Sequence, residues 1–234
     1  MVIFLHGVPT DGRLWDGVRA HMTLPSMAPD LPGYGRCAPL FNPSLDAHLA
    51  WLDTHLPSPV DAHLVGQDFG GLLAAEWAIR RGARSVTLTS SPAGRLWLWP
   101  RLAALPGLRR LFYERYGGRL YLSRGCAPGG RAAFLQTFLP GVERSSLPLY
   151  MRRTAEGIPA RGMSTLAKRL RQTGCPVLCL WGADDRFHPP AVARWTAWRL
   201  GAEMAWVPGG RHYAPFDEPG RYAAALQAFW ATVC

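Results

Sequence analysis

Short apolar runs alternate with helix-type patterns through the first and last thirds of the chain. The runs have the length and composition of buried strands, and several segments between them place apolar residues at helical spacing. The strand candidates are 2–5, 62–66, 85–89, 176–181 and 203–207, with a weaker one near 22–28. The helix candidates are 44–55, 69–81, 190–200 and 218–231. This alternation predicts an α/β fold in which helices flank a mostly parallel sheet.

The pattern changes between Pro92 and Gly174, where helical spacing continues without a convincing strand. We therefore predict a helical lid at 92–172, inserted into a core domain formed by 1–91 and 173–234. The first half of the lid is rich in large apolar side chains. These side chains would either form a roof over the site or pack the lid onto the core.

The composition fits one globular unit that acts on a small molecule. The 234 residues are 48% hydrophobic, enough for one domain with a modest insertion. No apolar run approaches transmembrane length and Met1 leads directly into a strand, so we expect a cytoplasmic protein without stable membrane insertion. The five cysteines form no C-x-x-C pair, and zinc, P-loop and dinucleotide signatures do not occur in the sequence, so we expect no metal and no cofactor.

The charge balance is strongly basic. Lysine and arginine number 26 against 16 acids, a formal net charge of +10, and arginines concentrate between positions 95 and 131. Such a cluster can bind nucleic acid, but no nucleic-acid module is recognisable and apolar residues interrupt the cluster. We therefore expect a solvated face and no nucleic-acid binding. The alternative is a basic entrance that attracts anionic substrates or contacts an acidic surface.

A candidate nucleophile lies in the segment Gly66-Gln67-Asp68-Phe69-Gly70. An apolar strand precedes the segment, a helical pattern follows it, and its glycines permit a tight turn. The form G-x-nucleophile-x-G presents a side chain at a strand-to-helix turn. A carboxylate there suits attack on saturated carbon, which leaves an alkyl ester for water to cleave. An ordinary turn in which Asp68 caps the helix is the structural alternative.

Two other groups of chemical interest also follow strand candidates. His212 lies in a glycine-rich loop directly after one strand, where it can reach the mouth of a site. Asp184 and Asp185 follow another strand. A single aspartate after a strand is usually a turn residue. Asp68, Asp185 and His212, each at the end of a strand, form a set that chance rarely produces.

These segments together resemble the α/β-hydrolase superfamily, and within it the aspartate-nucleophile branch of epoxide hydrolases and haloalkane dehalogenases. The matching pieces span almost the whole chain. They are His6–Thr10, Asp30–Gly35, Gly66–Gly71, Gly182–Asp185, and His212 with Pro215 and Glu218. Members of the superfamily usually carry two antiparallel strands before the His-Gly strand, and none precedes it here. We therefore expect either a compact sheet of about six strands or a shortened chain.

The resemblance implies a catalytic triad in which an acid lies between Asp68 and His212 in chain order. Asp185 is the preferred acid and Asp184 the fallback, because the other common position, after the strand at 85–89, holds no carboxylate. Asp68 would form the alkyl ester, and His212 would activate the water that cleaves it. Asp185 would hold the imidazole in the required tautomer.

The resemblance also implies an oxyanion hole built from backbone amides. One amide follows the His-Gly turn and the other follows the nucleophile, which gives Val8 and Phe69 in this chain. Backbone amides stabilise developing negative charge without having to move.

The leaving group divides the branch into two chemistries. Haloalkane dehalogenases stabilise halide with N–H donors, often a tryptophan after the nucleophile and an asparagine after His-Gly. This chain has Phe69 and Val8 at those positions, so Trp97 or Trp99 of the lid would have to substitute. Epoxide hydrolases use lid tyrosines to protonate the ring oxygen. The candidates here are Tyr113, Tyr116, Tyr121 and Tyr150, although no tyrosine occurs near the end of the lid, at 162–166.

Epoxide or related C–O hydrolysis of a small apolar substrate is therefore the leading prediction from sequence. Carbon–halogen hydrolysis comes second. A ligand-binding homologue that keeps the fold without turnover comes third, because a fold alone does not establish a function. The sequence leaves the oligomeric state open.

Overall fold

The computed structural model describes residues 1–91, 122–142, 147–158 and 160–233. The described strands are β1 (Val2–Leu5), β2 (Ser26–Met27), β3 (His63–Gln67), β4 (Ser85–Thr89), β5 (Val177–Gly182) and β6 (Glu203–Val207). They form one sheet in the order β2-β1-β3-β4-β5-β6, and every neighbouring pair is parallel. The predicted parallel sheet of about six strands is confirmed for these residues.

Helices flank the sheet. They are α1 (Asp16–Arg19), α2 (Leu45–His55), α3 (Phe69–Arg81), α4 (Arg131–Val142), α5 (Leu147–Glu156), α6 (Ala160–Gln172), α7 (Pro190–Leu200), α8 (Ala214–Asp217) and α9 (Pro219–Val233). The weak strand candidate near 22–28 is reduced to two residues in β2. The predicted helix at 218–231 extends two residues further and is preceded by the separate turn α8.

The four inner strands, β1, β3, β4 and β5, are buried on both faces, which explains why they appear in the sequence as largely apolar runs. Successive side chains of a strand point to opposite faces. On β1, Ile3 and Leu5 join the apolar cluster shared with α2, α3 and α7. Val2 and Phe4 join the cluster that contains apolar residues of α9. The sheet therefore separates two cores, and its loops are left to carry chemistry.

The strand order reverses between β1 and β3. These two strands are neighbours, but the chain continues from β1 to β2 on one side and from β3 to β4 on the other. The register pairs Leu5 with Gly66, so the loops that begin at His6 and Asp68 leave the sheet side by side. Ligands of open parallel sheets bind in the crevice at such a reversal. The topology thus predicts a site beside Asp68.

A glycine makes the approach between these two loops possible. Helix α3 begins at Phe69, directly after the turn, and its second residue is Gly70. A Cβ added to Gly70 would lie 2.2 Å from the carbonyl oxygen of Leu5, a separation that real Cβ atoms do not show. Only glycine therefore lets the start of α3 pack directly against the end of β1.

The described part of the predicted lid is helical and packs onto the core. Phe134 and Phe138 of α4 are buried, and the Phe134 ring lies 4.5 Å from the ring of Tyr213, centroid to centroid. Leu166 and Leu170 of α6 lie in the same apolar cluster as α3. These contacts favour the lid-to-core alternative for this part. The division at 92 and 173 stays a prediction.

Candidate active site

Asp68 lies at the turn beyond β3, and its two carboxylate oxygens face different neighbours. Its backbone has φ 51° and ψ −116°, a conformation that costs a non-glycine residue about 1–3 kcal/mol and is concentrated at functional turns. Oδ1 accepts a hydrogen bond of 2.7 Å from the Phe69 amide. Oδ2 lies 3.8 Å from Nε2 of His212. The side chain keeps 17% of its surface exposed, so a small molecule can reach it.

Asp185 holds the other side of the His212 imidazole. Nδ1 of His212 lies 3.3 Å from Oδ2 of Asp185, and both side chains are completely buried. An ionised carboxylate only accepts hydrogen bonds, so Nδ1 carries the proton and Nε2 keeps its lone pair. Asp184, the fallback acid, is exposed. The structure therefore brings together the three residues that the sequence nominated, Asp68, His212 and Asp185.

The loop after β4 contributes a residue that fixes Asp185. The hydroxyl of Ser90 donates a 2.7 Å hydrogen bond to Oδ2 of Asp185. The other oxygen, Oδ1, accepts from the backbone amides of Phe187 at 2.8 Å and His188 at 3.0 Å. Both oxygens thus have donors beyond the imidazole, which keeps the carboxylate ionised and stationary. The segment after β4 holds no carboxylate, but it supplies the serine that supports Asp185.

Their surroundings shift the pKa values of Asp185 and His212 in opposite directions. Burial alone would raise the pKa of Asp185, but the charge and hydrogen bond of His212 outweigh it, and the pKa lies below its ordinary value. Burial alone would lower the pKa of His212, but the charge and hydrogen bond of Asp185 outweigh it, and Asp68 adds to the effect. The pKa of His212 consequently lies above its ordinary value of 6.5.

This shift predicts the pH dependence of any reaction that uses His212 as a base. The neutral imidazole is the active form, and it becomes populated only as pH rises through the raised pKa. We expect the rate to increase with pH along a limb whose midpoint lies above 6.5. Steady-state kinetics between about pH 5 and 9 would measure the midpoint. A limb centred at or below 6.5 would show that the base does not titrate as its surroundings require.

Gln67 is a second partner of the imidazole that the sequence did not single out. Its side-chain nitrogen lies 3.1 Å from Nε2 of His212 and 3.3 Å from the carbonyl oxygen of the same residue. Both of these groups are acceptors when the imidazole is neutral, so the amide nitrogen must face them. A donor to the neutral form opposes protonation of Nε2. Gln67 therefore counteracts part of the pKa increase caused by Asp185.

Replacing Gln67 with leucine is expected to move the pH limb upward. The substitution removes a hydrogen bond that stabilises the neutral imidazole by about 0.5–1.5 kcal/mol. The midpoint of the limb should therefore rise by roughly 0.5–1 pH unit. The same pH profile would be recorded for Gln227→Leu, which removes an amide that bonds His21 at the surface. A downward shift in Gln67→Leu, or an equal shift in the control, would contradict the role assigned to Gln67.

The His6-Gly7 turn lies directly against Asp68. A Cβ added to Gly7 would lie 2.6 Å from Cβ of Asp68. His6 fixes this turn because its Nε2 accepts a 2.8 Å hydrogen bond from the Leu31 amide, while Nδ1 donates to the Gly7 carbonyl. The turn thus presents the backbone at Val8 beside the site. The Phe69 amide is already engaged with the Asp68 carboxylate.

Among the lid candidates, the structure describes Tyr150 alone. Trp97, Trp99, Tyr113, Tyr116 and Tyr121 lie outside the described residues. The Tyr150 hydroxyl lies 3.3 Å from Nε2 of His48, whose Nδ1 donates to the Ser44 carbonyl. The hydroxyl must therefore donate to His48, and the His48 ring in turn packs edge-on against Phe69 at 5.1 Å between centroids. Burial raises the pKa of Tyr150 to about 12.

Two buried residues near the site escaped the sequence prediction. The hydroxyl of Tyr213 has no hydrogen-bond partner among the described residues, and burial together with the charge of Asp68 raises its pKa well above the ordinary value. His188 packs beside His212 with 5.3 Å between ring centroids. Tyr213 directly follows His212 in the sequence, and His188 lies three positions after Asp185. The direction in which each ring points is visible only in the folded chain.

Asp217 connects the predicted lid with the loop that carries His212. One carboxylate oxygen accepts from the Ala127 amide at 2.7 Å, and the other accepts from the Arg211 amide at 2.8 Å. Burial raises the pKa of Asp217 to about 6. The carboxylate therefore fixes the segment near 127 to the backbone next to His212.

A parallel sheet with a strained strand-to-helix turn after one inner strand, and with an aspartate and a histidine after later strands, is the architecture of the α/β-hydrolase class. The sequence profile described as "Alpha/beta hydrolase family" matches residues 2–225, and the chain belongs to this family. The fold class and superfamily inferred from sequence are confirmed.

Relatives of known name include hydrolases of two kinds. A haloalkane dehalogenase from Mesorhizobium japonicum is 37% identical over 95 residues, which is 37% of this chain and 30% of that protein. The chain therefore matches under a third of that relative's length. A pimeloyl-(acyl-carrier protein) methyl ester esterase from Neisseria meningitidis is 27% identical over 244 residues, covering 96% of this chain and 74% of that protein.

Solved structures show the same fold. A thermophilic esterase from Thermogutta terrifontis has a TM-score of 0.79 at 22% identity, covering 99% of this chain and 89% of that chain. The haloalkane dehalogenase DatA from Agrobacterium tumefaciens has a TM-score of 0.71 at 22% identity, with coverages of 100% and 89%. At this identity the likeness establishes the fold alone. Among the described residues, no helix has both the length and the apolar character needed to cross a membrane.

Proposed function

We propose that the protein is a hydrolase that attacks a saturated carbon with the Asp68 carboxylate and forms a covalent alkyl ester. The observation that carries this proposal is the 3.8 Å separation between Oδ2 of Asp68 and Nε2 of the buried His212. Capping of helix α3 does not account for this position, because a capping carboxylate need not face a histidine. The other ring nitrogen of this histidine is held by Asp185, as in a catalytic triad.

The two oxygens of Asp68 have different roles in the first step. Oδ1 is engaged by the Phe69 amide, so Oδ2, on the side of His212, is the attacking atom. It forms a bond to the substrate carbon as the bond to the leaving group breaks, and the leaving group departs with that electron pair. The partial exposure of Asp68 admits the substrate, while the buried imidazole stays out of the reaction until the ester has formed.

Water cleaves the ester in the second step. Nε2 of His212 takes a proton from the water as the water oxygen attacks the carboxyl carbon of Asp68. Negative charge then develops on Oδ1, which already accepts the Phe69 hydrogen bond, and Val8 offers the second amide. Asp185 stabilises the imidazolium. As the intermediate collapses, the imidazolium gives its proton to the departing oxygen, so an alcohol that carries Oδ2 is released. The oxygen from water stays on Asp68 as a carboxyl group, which loses its proton to solvent.

Carbon–halogen cleavage is the leaving-group assignment with the better support. A halide departs without a proton, whereas the oxygen of an opening epoxide needs one. The Tyr150 hydroxyl, on which part of the epoxide prediction rested, already donates to His48. The partial similarity to a haloalkane dehalogenase points the same way.

Epoxide opening is the second candidate, and one observation favours it. The Tyr213 hydroxyl is protonated, buried and without a hydrogen-bond partner among the described residues, and it lies within electrostatic reach of Asp68. Such a phenol can give its proton to a developing alkoxide. This residue would replace the lid tyrosines that the sequence nominated.

A panel of substrates would distinguish these reactions. Purified protein would be incubated separately with bromoalkanes, terminal epoxides and carboxylic methyl esters, and halide, diol and acid would be measured. We expect halide together with an equal amount of alcohol, or diol in the second case, with neither product formed by Asp68→Asn. Acid from the methyl esters alone would overturn the proposal in favour of acyl chemistry. Ligand binding with no product from any class would indicate a non-catalytic homologue.

A further inference from the structure

Three groups that can bind a metal ion converge at the site from three different loops. Asp68 follows β3, His188 follows β5, and His212 follows β6. One potential ligand atom from each residue lies within 4.8 Å of the other two. The proposed reaction uses Asp68 and His212 but assigns nothing to His188, which is only 7% exposed.

The set of two imidazoles and one carboxylate matches the ligands that zinc takes in sites with an open fourth position. Zinc lies about 2.0–2.2 Å from nitrogen and oxygen ligands, so tetrahedral ligand atoms end about 3.3–3.6 Å apart. Oδ2 of Asp68 and Nε2 of His212 are already 3.8 Å apart. Contracting the remaining separations from at most 4.8 Å requires shifts of about 1 Å, which rotation of the Asp68 and His188 side chains can supply.

The residues behind the two imidazoles also suit a metal. A metal-binding histidine normally directs its second ring nitrogen to a carboxylate or a backbone carbonyl. Nδ1 of His212 faces Asp185 at 3.3 Å. The ring of His188 interacts with the Ser90 carbonyl, and because its buried Nδ1 has no hydrogen-bond partner in the described part of the chain, Nε2 makes that interaction. A neutral His188 that donates through Nε2 leaves the lone pair on Nδ1 free.

We propose that Asp68, His188 and His212 bind a divalent transition metal of the zinc type, and that the bound ion inhibits the hydrolase reversibly. Binding replaces the hydrogen bond between Gln67 and Nε2 of His212. The ion occupies both the attacking oxygen and the lone pair of the base, so neither step of the reaction can proceed. The inhibition rests on the proposed function, whereas the binding does not.

Direct metal binding is the test, because it does not depend on the substrate. The full chain would be purified with a chelator, and zinc would be titrated in competition with a chromophoric chelator. Cobalt would be titrated in parallel, with its visible absorption reporting nitrogen and oxygen ligands. The variants are His188→Phe, which keeps an aromatic ring, and Asp68→Asn, at a partly exposed position. The matched control is His55→Phe, which removes an exposed histidine that bonds only its own helix and the adjacent Thr54.

We expect one zinc per chain in the native protein and in His55→Phe. Loss of a partner behind a ligand typically costs about 10–100-fold in metal affinity, so each site variant should lose about 100-fold or more. Circular dichroism would identify a variant that does not fold, in which case the other variant decides. Absence of stoichiometric binding, or unchanged affinity in the folded variants, would overturn the metal site. If the protein hydrolyses a substrate but does not bind zinc, the metal site is refuted and the proposed function is not. If it binds zinc but turns over no substrate, the proposed function is refuted and the metal site is not.

Discussion

Replacing Asp68 with alanine is expected to reduce hydrolysis by about 10⁴-fold or more, with both halide and diol production lost. Removal of a catalytic nucleophile in other hydrolases costs about 10⁶-fold in kcat, and the rate that remains comes from the oxyanion hole and substrate binding. The same remainder is available here because the Phe69 amide is part of the backbone and survives the substitution. The measurement is kcat and kcat/KM on the substrate that the panel identifies.

The near-isosteric Asp68→Asn serves as the companion variant for this prediction. It keeps an oxygen that can accept from Phe69, so the strained turn should stay in place while the nucleophile is lost. Both variants should therefore fail to turn over substrate, and both should still bind product analogues. Activity within about tenfold of the native protein in either folded variant would mean that Asp68 does not attack carbon.

A labelling experiment separates attack by Asp68 from direct attack by water. In a single turnover with excess enzyme in oxygen-18 water, the proposed route places the heavy oxygen on the Asp68 side chain and leaves the alcohol unlabelled. This follows because the bond to Oδ2 is retained in the alcohol while water attacks the carboxyl carbon. Mass analysis of the peptide that contains Asp68 would measure it. Label found in the alcohol alone would indicate direct hydrolysis, with Asp68 as a base.

The sequence predicted the framework of this site because its signals are local. The apolar runs and the glycines around Asp68 depend on the immediate backbone conformation, so they identified β3, α3 and the turn between them. Asp185 and His212 are site candidates for a similar reason. Each follows a strand, and the ends of parallel strands meet at one edge of the sheet.

The residues that escaped prediction act through contacts between distant segments. Ser90 forms a hydrogen bond with Asp185, which lies 95 positions away in the sequence, and Gln67 forms one with His212, which lies 145 positions away. Neither belongs to a residue type that is conspicuous in isolation, and both lie in segments that look like ordinary strand ends. The direction of the His188 ring depends on the packing of a loop after β5. Such geometry has no periodicity that could be detected before the chain is folded.

The choice between leaving groups depends on contacts of this kind. Counting tyrosines in the lid favoured epoxide opening, but a count does not reveal which hydroxyl is already engaged. In the structure Tyr150 donates to His48, whereas Tyr213, outside the lid, is the buried phenol near Asp68. A prediction about proton donors therefore needs the hydrogen-bond partners as well as the residue types.

Replacing His212 with alanine is expected to stop the reaction after the first step and to trap the substrate on Asp68. Attack by the carboxylate does not require the imidazole, because the carboxylate is already ionised when it meets the substrate. Hydrolysis of the ester does require it, since the His212 imidazole lies between Asp68 and Asp185 and is therefore placed to take a proton from the attacking water. Turnover should fall by about 10⁴-fold or more. The first step should still release one equivalent of the leaving group per enzyme molecule.

Intact-mass measurement after exposure to the active substrate would detect the trapped ester as a single adduct, and peptide analysis would locate it. His212→Gln provides a second variant, because it fills more of the buried space and can still bond Asp185. His55→Ala is the matched control, since it removes an exposed histidine at the end of α2, and it should turn over without an adduct. An adduct on a residue other than Asp68 would refute the assigned nucleophile. Full turnover in folded His212→Ala would refute the assigned base, because the imidazole that faces Asp68 at 3.8 Å would then have no part in releasing the ester.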